Sequence, residues 1–169
     1  MLAARAGLQR APADGLAEYR LGVLLLELGC RVGTDELLIT AAQRGVVDAH
    51  HRLARLYALD GLVERSRQWL RSAVPSPERT VTEGYVLFKE RRNAEAVQTF
   101  EAALQQGVGG PDRLRARLYL GKALHENGRD DDARQVLTAL IADAPATTFG
   151  AAAVHTLTHM QDPTHDHSH

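Results

Sequence analysis

Residues 118–140 read LYLGKALHENGRDDDARQVLTAL, and the fold turns on how this stretch repeats. Gly121 is followed by Leu124 at three residues, Gly128 at seven, Ala133 at twelve, Leu137 at sixteen and Leu140 at nineteen. The same frame recurs upstream from Gly22, Ala54 and Gly84. Its +3 column holds Leu25, Tyr57, Leu87 and Leu124, and its +12 column Thr34, Ser66, Ala96 and Ala133. Its +16 column holds Leu38, Leu70, Phe100 and Leu137, and its +19 column Ala41, Ala73, Ala103 and Leu140. The steps from 22 to 54, 54 to 84 and 84 to 121 are 32, 30 and 37 residues, and the longest contains the turn Gly107, Gly109, Gly110, Pro111.

A repeat of about 34 residues with these columns is the period of stacked helical pairs. A small residue in the first helix lets the second approach closely, and the large +3 and +16 residues fill the seam. One pair leaves an apolar edge uncovered, so pairs must stack into a one-dimensional array. Turn chemistry fits. Gly29, Gly61 and Gly128 stand at +7, where the first helix should end in a left-handed cap, while the third copy has Arg91 there with Asn93 nearby. Ser76-Pro77-Glu78 and Gly110-Pro111-Asp112 read as helix starts near 77 and 111, and Asp130 to Asp132 open the second helix of the last pair.

Composition points the same way. The chain has 169 residues, 26 of them Ala and 24 Leu against two Ile, with 5% aromatics; Ala and Leu lose little side-chain entropy in a helix. Twenty basic and 21 acidic residues leave a net charge of −1, which with no evident basic stripe argues against nucleic acid. Arg outnumbers Lys 18 to 2, and a GC-rich genome accounts for such a ratio without any ligand. The lone Cys30 cannot form an internal disulfide, so a cytoplasmic home is expected. Residues 1–11 lack the apolar core of an export signal. The stretch from Leu21 to Leu28 contains Glu27 and falls far short of the roughly 20 apolar residues that span a bilayer, so no membrane is expected.

The fourth copy, Leu120-Gly121 with Leu124, Gly128, Ala133, Leu137 and Pro145, resembles a tetratricopeptide repeat, as does the third, with Gly84, Leu87, Ala96, Phe100 and Ala103. The first half resembles the related Sel-one-like repeat through Ala41-Ala42, Gly45, Ala49, Leu53-Ala54, Leu56-Tyr57 and Gly61. Pro12 and Asp14 stand where a preceding repeat would end, so residues 1–11 resemble the second helix of an incomplete repeat. Two departures are visible. The Trp frequent four residues before the small column in that family is Glu18, His50, Thr80 and Arg117 here, and the third copy has Glu83 where Leu is usual. The expected fold is an all-α, right-handed α-solenoid occupying residues 1–160 as one domain. Its repeats are expected at 15–46, 47–76, 77–110 and 111–146, with a capping helix at 147–160 and a disordered, His-rich tail at 161–169.

In the resembled families the first helix of each pair lines a concave groove. The positions facing it would be Tyr19, Val23 and Leu26; His51, Arg55 and Ala58; Val81, Tyr85 and Phe88; and Leu118, Lys122 and His125, with Arg52, Lys89 and Tyr119 flanking. The partner-binding candidates among these are Tyr19, His51, Arg52, Arg55, Tyr85, Phe88, Lys89, Tyr119, Lys122 and His125. Such a surface suits an extended peptide or helix with apolar anchors and a few carboxylates. The Asn-containing carboxylate clamp that some family members use on chaperone tails is not matched, since the frame holds Val23, Arg55, Tyr85 and Lys122.

Other chemistry is thinner. His155 and His159 share a helix face, and His165, His167 and His169 follow with Asp162 and Asp166, a set able to bind zinc, nickel or copper. Against a built metal site, Pro163 breaks the helix and no Cys adds a rigid ligand. His125-Glu126 lacks the second histidine of a zinc-protease helix, because residue 129 is Arg129, and Gly107 to Gly110 lacks the lysine and hydroxyl of a phosphate loop. Tyr57, Trp69 and Phe100 fall at core spacing. The expected function is therefore a non-catalytic protein-interaction scaffold or adaptor with no cofactor, the alternative being a metal-handling accessory protein. A weaker third reading is self-assembly, in which a homo-oligomer forms by stacking of the incomplete terminal repeat on a second copy.

Overall fold

The computed structural model describes residues 15–161 and, among them, is built from α-helices with no strand. The described residues form two compact units divided between Pro75 and Ser76, at the junction expected between the second and third repeats of a single domain. The first unit holds α1 (Leu16–Glu27), α2 (Thr34–Gln43), α3 (Asp48–Leu59) and α4 (Val63–Ser72), each packed on the next. The second holds α5 (Pro77–Lys89), α6 (Asn93–Gln105), α7 (Gly110–Glu126), α8 (Asp130–Asp143) and α9 (Thr148–Gln161). There, α7 packs on α5 as well as α6, and α9 packs on both α8 and α7, which is the stacking of a helical-repeat solenoid. The expected capping helix is α9. The helix expected on residues 1–11 and the tail beyond Gln161 lie outside the described residues.

Close approach at the small column sets the pairing. A Cβ added to Gly22 would meet Leu38 at 3.1 Å, one on Gly84 would meet Phe100 at 2.8 Å, and one on Gly121 would meet Leu137 at 2.5 Å. In each case the neighbour is the +16 residue of the same copy. The +12 column is fully buried throughout, at Thr34, Ser66, Ala96 and Ala133. Its two hydroxyls are satisfied by the backbone: Thr34 donates to the Cys30 carbonyl at 2.7 Å, and Ser66 to that of Ala54 at 2.5 Å. A hydroxyl can thus replace the methyl of Ala in this column without leaving an orphaned buried group. Leu25 is the exception in the +3 column, being only partly buried, whereas Tyr57, Leu87 and Leu124 are core residues.

Every first helix ends in the same way. Gly29, Gly61, Arg91 and Gly128 have φ of 72°, 75°, 61° and 77°, and Arg91 is the one non-glycine with positive φ among the described residues. The following amide in each copy reaches back to the +3 carbonyl: Cys30 to Leu25, Leu62 to Tyr57, Arg92 to Leu87 and Arg129 to Leu124, at 2.8–3.0 Å. This is the Schellman cap, and the third copy builds it on arginine rather than on the nearby Asn93. At the other end, the Ser76 side chain accepts from the Arg79 amide at 3.0 Å, and Pro77 begins α5. Helix α7 starts at Gly110, one residue ahead of the expected Pro111.

The column where the resembled family carries Trp does something else here. Glu18 pairs with Arg44, Thr80 Oγ1 lies 3.0 Å from Gln106 Oε1, and Arg117 pairs with Asp143 at 2.8 Å, each partner 26 residues on at the end of the second helix. In the second copy His50 instead meets the edge of Trp69, with ring centroids 5.4 Å apart. Polar cross-pairs therefore tie each first helix to the end of its partner helix in three copies of four.

Candidate functional site

The expected groove residues fall on α1 and α3 in the first unit and on α5 and α7 in the second. In the first unit Arg52 donates through Nε to the Tyr19 hydroxyl at 2.8 Å and lies over its ring, so these two form one contact. His51 and Arg55 are half-buried on α3, and Ala58 is fully buried.

The second unit concentrates more. Tyr85 on α5 meets Tyr119 on α7 edge-on, with centroids 4.8 Å apart, and Phe88 approaches the same Tyr119 ring at 5.5 Å. Tyr119 also stacks on the core residue Phe100 at 6.4 Å. The aromatic cluster is therefore rooted in the core between the third and fourth repeats. Tyr85 is 2% exposed, and Val81 and Leu118 are buried with it, so these three serve as the floor of the surface. Phe88 and Tyr119 stay half-open.

Two cations cover this floor, one turn beyond each tyrosine. Lys89 Nζ lies 5.4 Å from the Tyr85 centroid and Lys122 Nζ 5.1 Å from that of Tyr119. Such placement over a ring face is favourable for an ammonium. These are both lysines of the chain, against 18 arginines. Neither forms an ion pair among the described residues, while many of the arginines do. Burial pushes the Lys122 ammonium below its ordinary value, and the charge of Lys89 adds to that effect. Desolvation raises both phenols, Tyr119 to about 12 with the neighbouring Tyr85 contributing, so both stay neutral donors near pH 7. Beside Lys89 a recess of about 230 Å³ is lined by Phe88, Lys89, Arg91, Asn93 and Glu126.

His125 sits one turn past Lys122, and its Nδ1 contacts Asp130 at 2.7 Å. The sequence reading assigned His125 to the groove without this partner, and it missed Arg91 and Asn93 beside the recess. The absent glycine at +7 was the signal for Arg91. The remaining acids at that helix start, Asp131 and Asp132, pair with Arg134 and Arg129. Among the described residues no helix is long and apolar enough to cross a membrane, and no group of three or more His, Cys, Asp or Glu could hold a metal ion. His155 and His159 do come together on α9, while His165, His167 and His169 lie outside the described residues. Residues 81–147, the third and fourth repeats, match the tetratricopeptide repeat family. No curated protein matches the chain.

Proposed function

We propose that this tetratricopeptide repeat protein is a non-catalytic adaptor whose third and fourth repeats hold an acidic, aromatic- or aliphatic-bearing segment of a partner protein. Repeats of this family are in general protein-interaction modules. The observation that carries the finer reading is the convergence of Lys89 and Lys122 on the Tyr85–Tyr119 pair. A half-desolvated ammonium without a carboxylate is costly, and a bound carboxylate would relieve that cost. Half-open Phe88 and Tyr119 offer apolar contact beside it, tyrosine being one of the residue types that dominate interface energetics, while the flanking lysines steer and orient an acidic partner. In the first unit, Tyr19, His51, Arg52 and Arg55 are a mixture of the same residue types.

Selection from a displayed random-peptide library tests this. The protein should enrich sequences pairing an apolar residue with Asp or Glu, and Lys89→Glu with Lys122→Glu should remove that enrichment while helical circular dichroism is unchanged. Enrichment that persists in the double variant would sink the assignment.

A further inference from the structure

Helix α9 carries a histidine pair apart from the expected groove residues. His155 and His159 lie four residues apart on α9, both exposed, with their Nε2 atoms 3.2 Å apart and their rings 4.4 Å centroid to centroid. Phe149, Ala152, Ala153, Leu157 and Met160 pack the other side of α9 on Leu118, Leu137 and Leu140, so the pair stands on a docked helix. An imidazole nitrogen binds zinc at about 2.0–2.1 Å, which at tetrahedral or square coordination angles puts two ligand nitrogens about 2.9–3.4 Å apart. The observed separation falls inside that window.

From this geometry we propose that His155 and His159 form a two-nitrogen chelate for a divalent ion of the zinc, nickel and copper class. In the metal-bound form each neutral imidazole carries its proton on Nδ1, so both Nε2 lone pairs are free to bind the ion. Imidazole nitrogen selects this class over magnesium and calcium, and copper binds most tightly within it. Water fills the remaining coordination positions. Because the ligands span one helical turn, binding also fastens the end of α9.

Titration of the full chain with Cu²⁺ alone, followed by calorimetry, tests the site in a variant whose tail histidines are removed by His165→Ser, His167→Ser and His169→Ser. One ion per chain should still bind. Adding His155→Ala or His159→Ala should weaken binding about ten- to hundred-fold. Metal should also slow amide exchange in the last turn of α9, and only when both histidines are present. Loss of saturable binding in the tail variant, or unchanged affinity after His155→Ala, would overturn the proposal. Because His155 and His159 lie on the exposed face of α9, their replacement should leave circular dichroism the same, and peptide selection by the groove should be unaffected.

Discussion

Phe100 lies so close beneath Gly84 that a methyl group there would stand 2.8 Å from the ring's Cε1 and 2.9 Å from Cδ1. Alanine would gain about 0.8–1 kcal/mol of helix propensity over glycine, but forcing a methyl against a rigid, fully buried ring costs about 1–3 kcal/mol. Gly84→Ala should therefore destabilise by up to about 2 kcal/mol in urea unfolding. Adding Phe100→Leu copies the Ala54 and Leu70 combination of the second repeat, so the double variant should recover part of the loss. If the two effects simply add, the close contact is not what sets the pairing.

Arg91 performs the turn that glycine performs in the other three repeats, at φ 61°. A left-handed L-residue costs about 1–2 kcal/mol, partly offset because glycine has about 0.4–1 kcal/mol more unfolded-state entropy to lose. Arg91→Gly should raise stability by about 0.5–1 kcal/mol. Since Arg91 also lines the recess beside Lys89, the same change should weaken capture of acidic peptides. A stabilised variant with undiminished capture would leave the arginine its turn but no part in binding.

Sequence periodicity was enough to find the pairs, because the small and +16 columns are set by contact within one copy. The same holds for the turns, where three glycines announce the left-handed cap. What periodicity could not show is which of the expected groove positions are buried. Tyr85 and Lys122 hold the same frame position one repeat apart, yet Tyr85 is buried and Lys122 half-buried because α7 packs over α5. Nor could it show the cross-pairs 26 residues apart, since Glu18 with Arg44, Thr80 with Gln106 and Arg117 with Asp143 share a place but no residue type. A pattern search for matching side chains passes over such a column.

Among those pairs, Glu18 with Arg44 carries the greatest risk. The Glu18 side chain is 6% exposed and Arg44 33%, and Glu18 Oε2 is buried without a hydrogen-bond partner. Removing the cation leaves a carboxylate buried alone, so Arg44→Met should cost about 2 kcal/mol or more. Replacing both, Glu18→Leu with Arg44→Met, should return most of that stability, because an apolar pair has no charge to desolvate. Unfolding midpoints of the two variants and the parent decide the matter. A double variant as weak as Arg44→Met would mean that the pair holds α1 to α2 by more than mutual charge.

The Tyr85–Tyr119 pair has a pH signature of its own. An unfolded phenol ionises near 10, whereas burial, with the adjacent Tyr85, holds Tyr119 protonated to about 12. Between those values the native state keeps a proton that the unfolded chain has released. The associated stability is thus whole below about pH 10 and lost as pH rises through about 12. Lys122 acts in the opposite sense: its lowered value means a penalty while charged, relieved as pH climbs from that value towards 10.5. Absorbance at about 295 nm, where phenolates absorb, should show a tyrosine step near 12 that Tyr119→Phe removes. Denaturant midpoints should fall between pH 10 and 12 in the parent and fall less in Tyr119→Phe, while Lys122→Met should lose the opposing rise. A Tyr119→Phe chain with the parent's alkaline profile would place the protected phenol elsewhere, and would take the aromatic floor of the groove with it.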